Sequence, residues 1–421
     1  MAVTVVAARD EGVASRWLQL AVCIIAMMAI SNLQYAWTLF TIPLTENLKV
    51  PLSAVQLAFT ILSLAASWLV PFGGYLVDRL GARLVVSVSG ALVGLGWVGL
   101  GLADSLGALY TWSALGGLGV GAVNVACVGT ALKWFPDRRG LAVGVVAGAF
   151  GFGTTLTILP INRMIASSGY QSTFIAWGVI QGIVLIVAAY FMLTPPPGWK
   201  PVTATIQTKL RLSAVSYTPL QVVKTGRFWL LYVMMTLVTF GGLMVIAQFK
   251  PIAVSYGLDK TIVLWGITAL GLALTIDPIV NGLTRPFWGW VSDHIGRADT
   301  MALAFTVEAL AIFGLLLTVD RPIWFVVFAA LTFFGWGEVF SLFPATIGDV
   351  FGPDNATANY GILYTSRGTA AIFAGWGVAK LVEIGGSWIT VFWVAVACDL
   401  LAASLALFWL KPVIVRTTAQ Q

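Results

Sequence analysis

The sequence has little charge and few of the side chains that soluble enzymes use for catalysis. Only 10% of its 421 residues are charged and 59% are hydrophobic, whereas about a quarter of an ordinary soluble domain is charged. It has one histidine, His294, and it shows no phosphate-binding loop, metal-ligand cluster or nucleophile motif. The composition argues against a soluble protein. The missing motifs argue against an enzyme and predict no cofactor and no bound metal.

The cysteines and the net charge exclude further classes of protein. Cys23, Cys127 and Cys398 all fall inside apolar runs, so they predict neither a disulfide framework nor a metal site. The formal charge is +6, but no basic patch is interleaved with aromatic residues, which argues against a nucleic-acid partner. Most lysines and arginines fall in segments on one side of the predicted membrane. This positive-inside bias predicts that both termini are cytoplasmic.

Apolar runs of about 20 residues recur from Trp17 to Leu410, each long enough to cross a hydrocarbon core about 30 Å thick as a helix. The first run is too long for a signal peptide and lacks a small-residue cleavage site. We therefore predict an all-α membrane protein with twelve transmembrane helices. Their approximate bounds are 17–40, 52–77, 84–103, 107–133, 141–165, 171–194, 228–254, 262–290, 300–319, 322–346, 359–380 and 387–410.

One long connection divides the chain. Residues 195–227 open with Pro195-Pro-Pro-Gly198 and carry basic but no acidic residues. We predict an N-terminal six-helix bundle over residues 1–194, a cytoplasmic linker over 195–227 and a C-terminal six-helix bundle over 228–421.

A sequence repeat supports this division. The stretch Gly74-Tyr-Leu-Val-Asp-Arg-Leu-Gly81 follows the second predicted helix, and Gly289-Trp-Val-Ser-Asp-His-Ile-Gly296 follows the eighth. Two halves in the same orientation, each with this loop at the same place, predict a parallel repeat with the substrate site between the halves. A buried charged site between two such repeats favours alternating access over an open channel.

The repeated loop resembles the hallmark of the major facilitator superfamily, and the resemblance extends over the whole chain. A narrower similarity is to the oxalate:formate antiporter family and its monocarboxylate-transporter relatives. It rests on Asn32-Leu-Gln-Tyr-Ala-Trp-Thr-Leu39, Val55-Gln56, Trp134-Phe-Pro-Asp-Arg-Arg-Gly140, Asn281-Gly-Leu-Thr-Arg-Pro-Phe-Trp-Gly289 and Asn359-Tyr-Gly361 with Arg367.

The resemblance implies a monomeric secondary transporter of small carboxylate anions in the lipid bilayer of a bacterial inner membrane. Oxalate:formate exchange is the leading expectation. Proton-coupled symport of lactate-like monocarboxylates is the alternative, and it would add protons as a partner.

Two arginines lie at similar depth in the predicted membrane. Asp293 marks the cytoplasmic end of the helix that contains Arg285. Arg285 lies eight residues before it, which places Arg285 about 12 Å into the membrane. Arg367 follows Asn359, where its helix enters from the same side, by a similar rise. An arginine at the bilayer centre costs about 2.5–3.5 kcal/mol, and such residues usually line the bundle interior or an aqueous pathway.

A structural ion pair with a buried acid is one alternative for each arginine. The other is a binding site, since a guanidinium fork matches a carboxylate and two forks could hold a dianion. The resemblance implies that both positions bind substrate carboxylates, with lysine the usual residue at the position of Arg367.

Neutral side chains complete the candidate substrate site. Each could instead form a helix-to-helix hydrogen bond or pack in the core. Asn124 stands where the resemblance predicts an aromatic residue. The candidates, beyond the two arginines, are Gln34, Tyr35, Gln56, Asn124, Asn281, Trp336 and Tyr364.

Two acids within the predicted helices, Asp277 and Glu338, depart from the family pattern. They could neutralise the arginines of the empty carrier, bind a coupling proton or form structural pairs. In the repeated loops we expect Asp78 and Asp293, with Arg79 and Arg83, to latch the cytoplasmic side during gating.

Overall fold

A computed structural model describes residues 2–135, 139–195, 216–352 and 355–414. Within these ranges, nine helical segments are long and apolar enough to cross a membrane, and Ala142–Phe152 is a shorter apolar helix. The protein therefore has the character of an all-α membrane protein. The count of twelve transmembrane helices stays a prediction, because several predicted spans consist of short helices joined by breaks.

The first half of the chain is helical almost throughout. Capping explains some of its boundaries: the Ser105 hydroxyl accepts from the backbone N–H of Ala108 at 3.4 Å, where a new helix begins. The helices are α1 (Ala2–Tyr35), α2 (Trp37–Leu48), α3 (Leu52–Trp68), α4 (Val70–Leu80), α5 (Ala82–Leu102), α6 (Leu106–Trp134), α7 (Arg139–Phe152) and α8 (Ile158–Phe191).

The second half adds a short antiparallel hairpin of β1 (Ile262–Leu264) and β2 (Ile267–Thr268). Two π-helical stretches, Ile372–Gly377 and Ala406–Leu410, continue neighbouring helices. The helices are α9 (Pro219–Val222), α10 (Gly226–Ser255), α11 (Ala269–Ile295), α12 (Arg297–Thr318), α13 (Pro322–Trp336), α14 (Val339–Phe351), α15 (Ala356–Leu363), α16 (Thr365–Ala371), α17 (Val378–Gly385) and α18 (Trp388–Leu405).

Three predicted boundaries need correction. The span predicted to begin at residue 262 starts instead with the hairpin, and its helix begins at Ala269, where Thr268 accepts from the N–H of Gly271. The predicted span 141–165 is interrupted by a turn over residues 153–157. The helix after the linker begins at Gly226, because Thr225 caps it by accepting from the N–H of Phe228.

The sequence repeat has a matching backbone geometry. Gly81 ends α4 with φ 81° and ψ 151°, and Gly296 ends α11 with φ 93° and ψ 158°. Each then directly precedes the next long helix. Because both glycines have positive φ values that disfavour L side chains, the repeated glycine is explained by the same turn in both halves.

Several helices break near the middle of the bundle, at Ala36, Leu69, Gly337–Glu338 and Tyr364. The backbone at each break stays in the right-handed helical region, so these breaks are kinks between consecutive helices. Tyr35 and Trp336 each end a helix at one of them, and Tyr364 is itself at a break. Three of the four kinks therefore lie at or next to candidate site residues.

The two halves meet along long helices. Helix α3 packs against α16 and the π-helical stretch Ile372–Gly377, α7 packs against α11, and α2 packs against α10. Glycines allow α7 and α11 to approach closely, since a Cβ on Gly282 would lie 3.1 Å from the carbonyl oxygen of Gly148. The candidate site lies between these interfaces.

Candidate functional site

Arg285 projects from α11 toward the first half of the chain. Its side chain is only 3% exposed, and Nη1 donates a hydrogen bond to the carbonyl oxygen of Ala147 on α7. Its guanidinium carbon lies 4.5 Å from the ring centre of Phe340 on α14, within the range of a cation–π interaction. The charge of Arg285 is therefore held by a neutral carbonyl and an aromatic ring.

Arg367, on α16, reaches the first half in the same way. It is also 3% exposed. Its Nη1 donates to the Ser67 hydroxyl at 2.9 Å, and its Nη2 donates to the side-chain oxygen of Gln34. The guanidinium carbon lies 5.7 Å from the ring centre of Tyr364. Both arginines thus come from the second half and bond to neutral groups of the first.

Tyr35 connects the surroundings of the two arginines. Its hydroxyl accepts a hydrogen bond of 2.6 Å from the side-chain amide of Asn281, one turn before Arg285 on α11. The same hydroxyl lies within electrostatic reach of both Arg285 and Arg367, and the two guanidiniums act on each other. The structure therefore brings Gln34, Tyr35 and Asn281 together with the arginines.

Aromatic rings form one wall of this region. The ring of Phe340 lies 5.2 Å from Trp336 and 6.3 Å from Tyr364, and Tyr360 lies 5.7 Å from Tyr364. Trp336 is fully buried against Gly242, and its Nε1 has no hydrogen-bond partner among the described residues. Trp336 and Tyr364 thus both lie in this wall, with Phe340 between them.

Contacts between the halves enclose the arginines. The Thr60 hydroxyl on α3 donates to the carbonyl oxygen of Ala371 at 3.0 Å, and the Trp68 indole donates to the carbonyl oxygen of Thr365 at 3.0 Å. These bonds lie on one helix, on either side of the level of Arg367 and Ser67. These two bonds therefore hold α3 against α16 beside Arg367.

Comparison with known proteins identifies the fold family. The sequence profile of the Major Facilitator Superfamily matches residues 22–276 and 262–420. The chain belongs to this superfamily. Its members are transporters, so this protein is a transporter.

Individual relatives narrow the resemblance. The chain is 36% identical over 397 residues to the oxalate:formate antiporter of Oxalobacter formigenes, covering 94% of this chain and 91% of the relative. It is 30% identical to an uncharacterised transporter of Escherichia coli (strain K12), over 85% and 86% of the two chains. Human monocarboxylate transporter 14 is 29% identical over 31% of this chain and 26% of its own length. The predicted resemblance to the oxalate:formate antiporter family is confirmed.

The two acids do not pair with the arginines. Asp277 is 3% exposed and Glu338 is fully buried, and none of their carboxylate oxygens has a hydrogen-bond partner in the described part of the transporter. Within those residues, no ion pair joins either acid to Arg285 or Arg367. Charge neutralisation by either of these acids, one of the alternatives above, does not describe this structure.

Gln56 forms helix-to-helix hydrogen bonds, the alternative stated above for the neutral candidates. Its side-chain oxygen accepts from the Trp37 indole at 3.2 Å, and its amide donates to the Ala247 carbonyl at 2.6 Å and to Gln248 at 3.0 Å. These bonds tie α3 to α10 instead of reaching the arginines. Asn124 is half-buried on α6, and no described hydrogen bond joins it to the site.

The gating residues are only partly described. The side chains of Asp78 and Asp293 lie outside the described part, so their latch stays a prediction. Arg79 is exposed. Arg83 is exposed as well, and its guanidinium carbon lies 4.6 Å from the ring centre of Tyr190.

Three contacts of the arginines were not predicted from the sequence: the Ala147 carbonyl, Ser67 and Phe340. A backbone carbonyl leaves no mark on residue type, and Ser67 is an ordinary small residue of a packed helix. Phe340 did have a signal. It follows Trp336 by four residues, so the two share a helical face near the break at Glu338.

Proposed function

We propose that this transporter exchanges small carboxylate anions by alternating access, with oxalate and formate as the leading pair. The observation that carries the proposal is the state of the two buried arginines. Their described hydrogen bonds reach only neutral acceptors, and the Nε of each has no partner among the described residues. Among the residues that the structure describes, these two buried positive charges have no compensating negative charge.

The chemistry of the guanidinium favours a carboxylate. An uncompensated buried charge costs several kcal/mol, which a bound anion offsets. Arg285 and Arg367 each present a planar fork of donors that a carboxylate can meet with two hydrogen bonds. Two such forks within electrostatic reach of each other suit a dianion with a carboxylate at each end, such as oxalate.

The same charges favour exchange. After releasing its anion, the transporter must close around two cations before it can return, and that closure is costly without a new anion. The Oxalobacter formigenes relative is an oxalate:formate antiporter, which agrees with this mechanism.

Uptake of radiolabelled oxalate into proteoliposomes tests this proposal. One set of proteoliposomes is loaded with oxalate and the other is left empty. We expect uptake only into loaded vesicles. Arg285→Gln and Arg367→Gln should each weaken oxalate binding by about 30-fold or more, since losing one partner of a buried charge pair costs about 2–5 kcal/mol. Arg163→Gln, at an exposed position of α8, is the matched control and should bind normally. Normal oxalate transport by either buried-arginine variant would refute the site.

Proton-coupled monocarboxylate symport is the second candidate. It is favoured by the neutral acceptors Ala147, Ser67 and Gln34, which satisfy part of the guanidinium hydrogen bonding when no substrate is bound and so ease closure of the empty carrier. Uptake of lactate into empty vesicles, driven by an inward proton gradient, would support symport and contradict strict exchange.

A further inference from the structure

A small, mostly apolar cavity lies about 12 Å along α11 from Arg285, toward the hairpin and the predicted external side. Its volume is about 20 Å³, which is room for about one water molecule, and it lies between the halves of the transporter. The first half contributes Tyr35 and Thr154. The second half contributes Val245, Ile246, Phe249, Leu274, Asp277, Pro278 and Phe333.

Three polar side-chain atoms of this cavity have no hydrogen-bond partners in the described ranges. This holds for both carboxylate oxygens of Asp277 and for the hydroxyl of Thr154, and both residues are buried. Pro278 has no backbone N–H, so the Leu274 carbonyl also lacks its usual helical donor. Buried polar groups are normally satisfied, and several unsatisfied groups in one cavity indicate a missing ligand.

The composition of the wall selects the ligand. A divalent metal ion takes about six or more oxygen ligands, whereas this wall offers the Asp277 carboxylate and two hydroxyls among apolar side chains. An ionised carboxylate among such neighbours is costly, but a protonated one is neutral and can donate a hydrogen bond. The Thr154 hydroxyl and the Leu274 carbonyl are candidate acceptors for it.

We propose that this cavity is a proton-binding site, in which Asp277 takes up a proton when an anion occupies the arginine site. The inference rests on the proposed function, because it couples the proton to the bound carboxylate. The cavity lies between the halves, so alternating access would expose Asp277 to each side of the membrane in turn.

Electrostatics give the sign of the coupling. Two positive arginines favour ionised Asp277, and a bound anion cancels their effect. At about 12 Å, with an effective dielectric constant of about 20, each added negative charge raises the proton affinity of Asp277 about tenfold. Tyr35 supplies a structural link, because it lines the cavity and also accepts the hydrogen bond from Asn281 beside Arg285.

The other titratable groups near this part of α11 are few. Tyr35 lies in the cavity wall, and Arg285 lies two turns away on the same helix. Glu338 follows Gly337, which packs against Asn281 and Thr284. The lining residues from α10 and α13 and from the turn after α7 are not titratable.

Calorimetric titration of the purified full-length transporter with oxalate, between pH 5.5 and 8, tests the proposal. Repeating it in buffers of different ionisation enthalpy gives the number of protons taken up. We expect net proton uptake, with oxalate affinity rising as the pH falls by up to about 100-fold in total, tenfold for each charge of the dianion. Asp277→Asn should take up no proton and bind oxalate with a pH-independent affinity. Asp399→Asn, which removes a buried acid on α18, should behave like the wild type.

The outcomes separate the two proposals. Oxalate binding without proton uptake, or proton uptake that persists in Asp277→Asn, overturns the proton site and leaves the carboxylate site intact. Loss of proton uptake in Asp399→Asn as well, or affinity that follows sodium concentration instead of pH, also overturns it. A wild-type protein that binds no carboxylate refutes the proposed function, and this inference with it.

A second measurement uses only the wild type, so it does not depend on whether Asp277→Asn folds. A hydrophobic carbodiimide adds the O–H of a protonated buried carboxyl across one C=N bond, and the adduct rearranges to a stable N-acylurea without a leaving group. Peptide mass spectrometry should find this adduct on Asp277, formed faster with oxalate than without it at pH 7. Absence of the adduct, or a rate that oxalate does not raise, contradicts the proposal.

Discussion

Glu383 offers a sharp test of how the predicted external side closes. It lies at the end of α17, and its carboxylate accepts hydrogen bonds from the backbone N–H and the hydroxyl of Ser53, at 2.7 and 2.8 Å. Ser53 is in the first turn of α3, so a carboxylate of one half caps a helix of the other. Opening this side requires that both bonds break.

The size of the effect follows from the geometry and exposure of these bonds. Buried hydrogen bonds to a charged group contribute about 1.5–3 kcal/mol each. The Glu383 side chain is 24% exposed, so solvent screening reduces the pair to about 1 kcal/mol in total. Glu383→Gln should therefore raise the population of the externally open state about fivefold, since 1.4 kcal/mol corresponds to a factor of ten.

The contact between Glu383 and Ser53 should also respond to acid. Burial alone would raise the pKa of Glu383, but the hydrogen bonds from Ser53 and the nearby Lys380 ammonium hold the pKa below its ordinary value. The carboxylate therefore stabilises closure fully above the ordinary value of about 4.3. This stabilisation is lost as the pH falls through the lower value of the closed state, so acid should open the wild type and leave Glu383→Gln unchanged.

Spin labels on the exposed residues Asp104 and Asp320, one in each half, would report opening as a longer distance in electron paramagnetic resonance. Lys380→Gln is the control. Its ion pair with Glu383 is 3.4 Å long and half-exposed, and such surface pairs contribute little. Equal distance distributions in the wild type and Glu383→Gln would show that the contact between Glu383 and Ser53 does not hold this side closed. Opening of Glu383→Gln in acid would refute its role in the pH response.

Two further predictions concern packing. Gly282→Ala should lower the melting temperature, because overpacking against Gly148 costs about 1–3 kcal/mol and exceeds the helix-propensity gain of about 0.5–1 kcal/mol. Gly144→Ala, whose Cβ would meet nothing within 4 Å, should not lower it, and equal melting temperatures would contradict the close contact. Gln56→Leu should cost about 1–3 kcal/mol of stability, because Gln248 loses a partner, while oxalate affinity stays within about twofold. A large loss of affinity with normal stability would return Gln56 to the binding site.

Local patterns explain what the sequence could predict. The repeated glycines follow from a backbone requirement, since Gly81 and Gly296 make the same positive-φ turn. The common depth of Arg285 and Arg367 follows from the fixed rise of a helix, counted from opposite ends of two helices. The structure places these arginines within electrostatic reach of each other.

The contacts across the two halves could not be predicted in this way. Gln34 and Gln56 are both buried glutamines of the first half, yet one accepts from Arg367 and the other joins Trp37 to Gln248. Both glutamines are buried and lie on helices, so period and burial do not distinguish them. The packing of distant helices determines which partner each one meets. The position of Asp277 could not be predicted from the sequence either. No spacing along the chain predicts that Asp277 faces a cavity while Arg285 and Arg367 bond to the first half.

The arginine contacts bear directly on coupling. Arg285 and Arg367 belong to the second half, and their described acceptors, Ala147, Ser67 and Gln34, all belong to the first. These bonds satisfy donors but bring no negative charge, so they lower the hydrogen-bonding cost of closure and leave most of its electrostatic cost. An anion that takes over the guanidinium donors compensates the charge and also releases the bonds between the halves. The same binding event therefore favours the loaded carrier and loosens the interface that must open, which is the combination that exchange requires.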